Sequence, residues 1–122
     1  MRIALAVLMA VHGVAHLVGF AGAWRLAPDG IPYKTTVLAG HVDLGDVGIR
    51  AVGLLWMGLA VGFAVAAAGA IGDRSWWQSL AVGVTIASLL MCATEWPEAR
   101  MGVAINVLIL GVLLAGRSMA RI

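Results

Sequence analysis

The chain is best read from His12 and His16, which lie inside an uninterrupted apolar run, IALAVLMAVHGVAHLVGFAGAW, from Ile3 to Trp24. Two imidazoles four residues apart fall on one helix face, a turn from each other. The same stripe carries Leu5, Met9, Gly19 and Ala23. Ionisable groups at membrane depth are costly to keep, so they mark functional positions by default. The pair admits three chemistries. Both rings can ligate one transition metal (Zn, Fe, Cu or Ni), with a third ligand from His41, Asp46 or Glu95. They can exchange protons or hydrogen bonds with an organic ligand. They can also simply tie helices together, as His and Asn do in membranes. The sequence has no HExxH motif, and the spacing alone fixes no third ligand. Haem ligation is disfavoured, because its two histidines normally face each other from different helices.

These residues must be positioned by membrane-spanning helices. Of 122 residues 62% are hydrophobic and only 11% charged, with a mean hydropathy of +1.01. Soluble domains run closer to half apolar and a quarter charged. The length allows one domain, residues 1–122. A net charge of +2 without a basic cluster excludes a nucleic-acid partner. Cys92 is the single cysteine, so neither an intrachain disulfide nor a cysteine metal cage can form; it reads as a small buried hydrophobe. The first run exceeds the 7–15 apolar residues of a signal peptide, and a discarded segment has no need of histidines, so it is expected to be a retained helix.

A span needs roughly 20 apolar residues. The pattern predicts helices at about 3–24, 46–71, 75–95 and 98–118, with one long loop at 25–45. In that loop Pro28, Asp29-Gly30 and Pro32 mark turns, and Thr35 to Gly40 suits a short interfacial turn. Asp43 has N-cap chemistry for the second helix and Asp46 falls in its first turn. Arg50, four residues on, can pair with Asp46. Gly58 and Gly62 form a GxxxG pair suited to close helix packing. Trp76 and Trp77 open the third helix at headgroup level. Pro97 suits the first position of the fourth helix, with Glu98 in its first turn, and Arg117 and Arg121 make a basic tail. The expected fold is an all-α, integral membrane four-helix antiparallel bundle. Basic residues tie between the two sides: Arg2, Arg74, Arg117 and Arg121 against Arg25, Lys34, Arg50 and Arg100. If Arg50 lies within a helix, the balance favours cytoplasmic termini.

Up-down topology brings the strongly polar groups to the long-loop side. His16 is nearer that side than His12, and Asp43, Asp46 and Arg50 start the second helix there. Thr94 and Glu95 end the third, and Asn106 lies about two turns down the fourth. The other half is Leu, Val, Ala and Gly. Trp56 falls inside its span, where it either packs or faces a ligand. Glu95 is read either as an acid/base carboxyl or as an interfacial partner of Arg50, and Asn106 as a helix-bridging or ligand-orienting amide.

Three segments, His12-Gly13-x-x-His16-x-x-Gly19-Phe20, Gly53-Leu54-Leu55-Trp56 and Trp96-x-x-Ala99-x-x-Gly102-x-x-x-Asn106, resemble a group of small bacterial four-helix membrane proteins, loosely similar to the DoxX-like proteins. The resemblance covers most of the chain outside the long loop and implies no particular activity. It implies site roles for His12, His16, Trp96 and Asn106. Small multidrug transporters are similar in length and helix number, but the glutamate of their first helix is missing here.

The resulting expectation is a small polytopic protein of the bacterial inner membrane with its termini in the cytoplasm. Its site would bind or convert a small lipophilic ligand by acid/base chemistry. His12, His16 and Glu95 are the candidate catalytic groups, and Asn106, Arg50, Asp46, Trp56 and Trp96 the candidate ligand contacts. One alternative is transition-metal binding or transport through His12, His16 and His41. Another is an accessory membrane subunit whose glycine faces pack against a partner. Membrane lipid and a second copy of the chain are the other expected partners.

Overall fold

The computed structural model describes residues 1–27 and 29–118; Pro28 and Arg121 lie outside the described residues. Its elements are α1 (Arg2–Ala23), β1 (Thr36–Val37), β2 (Val42–Asp43), α2 (Gly45–Ile71), α3 (Trp77–Thr94) and α4 (Arg100–Ser118). All four helices are long and apolar enough to cross a membrane, and they pack as a bundle.

Between apolar helices in lipid the hydrophobic effect is absent, so association depends on close packing and interhelical hydrogen bonds. Glycines set the closest approaches. A Cβ on Gly13 of α1 would come within 2.8 Å of Phe63 Cβ and 3.2 Å of the Ala60 carbonyl. Gly19 accommodates the Trp56 ring, and Gly53 faces Ala23. These antiparallel pairings make α1 and α2 the most intimate pair, whereas α1 and α4 barely meet. In the half of the bundle nearer the termini, Leu5, Met9, Phe63, Ala66, Ala81, Ile109 and Leu113 form a continuous packed core.

Several local expectations are corrected. Gly58 meets nothing within 4 Å, while Gly62 packs on Val84 of α3, so the GxxxG pair is only half used. Helix α3 starts at Trp77 rather than 75, and α4 starts at Arg100 rather than 98, so Pro97 is not its first residue. The Asp46 side chain is held by Arg25 (3.2 Å) and the Tyr33 hydroxyl rather than by Arg50. Arg25 in turn stacks 3.9 Å over Tyr33. Arg50 instead lies 5.5 Å over the Trp24 ring. Asp43 precedes the N-cap residue Leu44, although its carboxylate still accepts from the Gly45 N–H (3.0 Å) and the Thr35 hydroxyl (2.7 Å). Those two donors hold the Asp43 carboxyl below the usual carboxylate range.

The long loop is built rather than irregular. Strands β1 and β2 pair antiparallel, Thr36 opposite Asp43 and Val37 opposite Val42. Their turn puts Leu38 and Ala39 at φ 54° and 56°, a left-handed conformation that costs a non-glycine residue roughly 1–2 kcal/mol. The Leu38 N–H offsets part of that cost by donating to the Thr94 carbonyl at 2.7 Å, at the end of α3. Val37 is buried with Ala23 and Ile49. The hairpin is thereby fastened over the loop-side end of the bundle.

Candidate functional site

On the loop side of the bundle a cavity of about 430 Å³ lies between α1 and α4. Its walls come from α1 (His12, Ala15, His16, Gly19), α2 (Val52, Trp56), α3 (Cys92) and α4 (Gly102, Ile105), with Ala99 just before α4, Ile31, Pro32 and Lys34 of the loop and Glu95 and Glu98 at its rim. Concave, largely apolar walls with a few placed polar groups are the usual form of a small-molecule site.

Four side chains on three helices form the polar floor. His16 Nδ1 lies 2.7 Å from the His12 carbonyl, and His16 Nε2 lies 2.6 Å from Ser88 Oγ. Asn106 Nδ2 lies 2.9 Å from the same hydroxyl and 3.6 Å from Cys92 Sγ. His12 Nε2 lies 3.0 Å from Asn106 Oδ1. His12, His16, Ser88 and Asn106 are all buried, the last two completely.

For neutral imidazoles one anchor fixes every proton in this circuit. A carbonyl only accepts, so His16 carries its hydrogen on Nδ1 and offers a lone pair at Nε2. The Ser88 hydroxyl must therefore donate to His16 and accept from Asn106. That turns the amide nitrogen of Asn106 towards Ser88 and its oxygen towards His12, so His12 Nε2 is the donor. Amide orientation and tautomer, normally assigned rather than seen, thus follow from connectivity. Each group donates to the next, and His16 closes the circuit on the His12 backbone. One polar atom is left over. His12 Nδ1 keeps its lone pair, and no protein group among the described residues is within hydrogen-bonding reach of it.

Aromatic edges hold the rings. His16 meets Trp56 with centroids 5.2 Å apart, and Phe63 lies 5.1 Å from His12 and 5.4 Å from His16. At the rim Lys34 bridges Glu95 (3.4 Å) and Glu98 (3.2 Å). The Glu95 side chain is only 13% exposed. Burial pushes its carboxyl above the ordinary glutamate range, against the opposing pull of Lys34.

The expected site residues therefore divide. His12, His16, Trp56 and Glu95 line the cavity, and Asn106 orders its floor. Asp46, Arg50 and Trp96 are exposed and stand outside it, with Trp96 50% exposed. Glu95 pairs with Lys34 rather than Arg50. His41 is exposed in the hairpin turn, apart from the other two histidines. Among the described residues no group of three His, Cys, Asp or Glu side chains gathers as a metal would require. Both nitrogens of His16 are already engaged.

Sequence reasoning missed Ser88, Lys34 and the placement of Cys92. Serine is an ordinary residue in a membrane helix, and only its rotation towards His16 distinguishes Ser88. Comparison with family models, with curated proteins and with solved structures finds no match to this chain.

Proposed function

We propose that this membrane protein binds a small lipophilic ligand in the cavity between α1 and α4, with His12 as the group that meets the ligand's polar end. The observation that carries the reading is a buried imidazole with one uncommitted nitrogen in the wall of an otherwise apolar cavity of about 430 Å³. That volume lies within the roughly 300–1,000 Å³ of ordinary ligand pockets. His16, Ser88 and Asn106 act through His12 by fixing its tautomer. Acid/base conversion of a bound ligand would use the His12 lone pair as base, with the half-buried Glu95 carboxyl as a second proton-exchanging group at the rim. The weak contact between α1 and α4 gives a route of entry from the bilayer. We also read the protein as residing in a bacterial inner membrane with cytoplasmic termini. Arg50 lies inside α2, which leaves the loop side poorer in flanking positive charge.

The test is native mass spectrometry, with elemental analysis, of protein purified in mild detergent. A retained lipophilic mass should be lost in Ala15→Phe, which places a ring across the gap from an exposed position in the cavity wall. It should be kept in Trp96→Phe, outside the cavity. A mass retained equally by Ala15→Phe would refute the assignment. A transition metal near one per chain, lost in His12→Ala, would replace it with the metal reading. An empty protein would favour the accessory subunit.

A further inference from the structure

The direction of the hydrogen-bond circuit says more than that a ligand binds. We infer that the cavity selects a neutral lipophilic molecule whose head is a hydroxyl or N–H donor, such as a long-chain phenol or alcohol, delivered to Nδ1 of His12. The inference rests on the ligand-binding reading above and gives that site its polarity.

Two observations carry it. The first is the tautomer of His12. Its Nε2 hydrogen is held by Asn106 Oδ1 at 3.0 Å, and Asn106 cannot turn its amide around. Doing so would point its oxygen at the Ser88 oxygen, whose only hydrogen is committed to His16. The polar atom that His12 has left is therefore an acceptor. A ketone, ester or ether oxygen arriving there would set lone pair against lone pair, whereas an O–H or N–H finds its complement. Unmatched polar contacts in an apolar site are penalised by the lost desolvation of both groups.

The second is the rim. Among the described residues Lys34 is the one cation lining the cavity, and it is already shared by Glu95 and Glu98. One ammonium against two carboxylates leaves the rim with surplus negative charge when both are ionised. An acidic amphiphile such as a fatty acid would find no free counter-ion there. A neutral head passes, and its alkyl chain can trail out between Ala15 and Ala99 into the lipid.

The experiment uses the intact wild-type chain in lipid nanodiscs with ¹⁵N-labelled histidine. It is titrated with 4-octylphenol and with its methyl ether, 4-octylanisole, which has the same shape but no donor. The phenol should bind about two- to twelvefold more tightly, in line with the net value of one matched hydrogen bond. The Nδ1 resonance of His12 should shift with the phenol and stay in place with the ether, while both His16 nitrogens hold their positions. Equal or tighter binding of the ether would overturn the donor-head inference and leave the ligand site standing. Failure of both probes to bind saturably would remove the site and the inference with it.

Discussion

Replacing Asn106 with leucine tests the circuit most directly. The side chain is completely buried, and leucine has nearly its shape without its polar atoms. The substitution removes the acceptor of His12 Nε2–H and one donor to Ser88 Oγ. Ser88 keeps its bond to His16, so the one stranded donor is the His12 N–H. A buried donor left unsatisfied costs about 1–3 kcal/mol. Side-chain bonds between membrane helices average about 0.6 kcal/mol, so losing those to His12 and Ser88 comes to about 1.2 kcal/mol, with the weaker 3.6 Å contact to Cys92 Sγ lost besides. Destabilisation of roughly 1–3 kcal/mol is therefore expected, read by reversible unfolding in mixed micelles. Ser88→Ala should cost a comparable amount alone, because it strands the His16 acceptor and one Asn106 N–H. The double variant should fall short of the sum, since the two changes break a shared bond. A loss below about 0.3 kcal/mol for Asn106→Leu, or strict additivity with Ser88→Ala, would refute a connected circuit.

Two further outcomes follow from the packing and the rim. Gly13→Ala forces α1 away from Phe63 and the Ala60 carbonyl and should cost about 1–3 kcal/mol, whereas Gly58→Ala meets open space and should be neutral or gain up to about 1 kcal/mol in helix propensity; equal effects in the same unfolding assay would contradict the α1–α2 geometry. For Glu95, the raised carboxyl means the fold prefers its neutral form, so stability is fully present below the unfolded value of about 4.3 and declines as pH rises through the folded value. Glu95→Gln should accordingly raise the melting temperature at neutral pH, with the gain vanishing in acid, while Lys34 remains paired with Glu98; a lower melting temperature at neutral pH would show that the Lys34 pair outweighs burial.

The helices were legible because length and apolar continuity alone define a span, and their eight ends agree with the expected ones to within about two residues. Up-down topology then sufficed to bring His12, His16, Glu95 and Asn106 to one half. What stayed hidden depends on rotation about helix axes and on the loop. Ser88 is invisible until the register of α3 against α1 is known. The i, i+4 rule suggested Asp46 with Arg50, but the loop delivers Tyr33 and Arg25 to Asp46, and a helix-local rule cannot see competitors from elsewhere in the chain. Lys34 reaches Glu95 from a loop whose hairpin docks on the end of α3 through Leu38, in left-handed backbone that glycine or asparagine would normally announce. Trp96, singled out by its motif position, faces outward at the very point where α3 gives way to α4.

The packed half of the bundle gives the cavity a floor. Beneath His12, Leu5, Met9, Phe63, Ile109 and Leu113 pack together, and among the described buried residues there only Thr85 is polar, its hydroxyl already spent on the Ala81 carbonyl. That half is an insulating plug, and most of a transmembrane voltage would fall across it. On the ligand-binding reading proposed above, a molecule in the cavity would meet one leaflet and one aqueous face and leave by the side it entered.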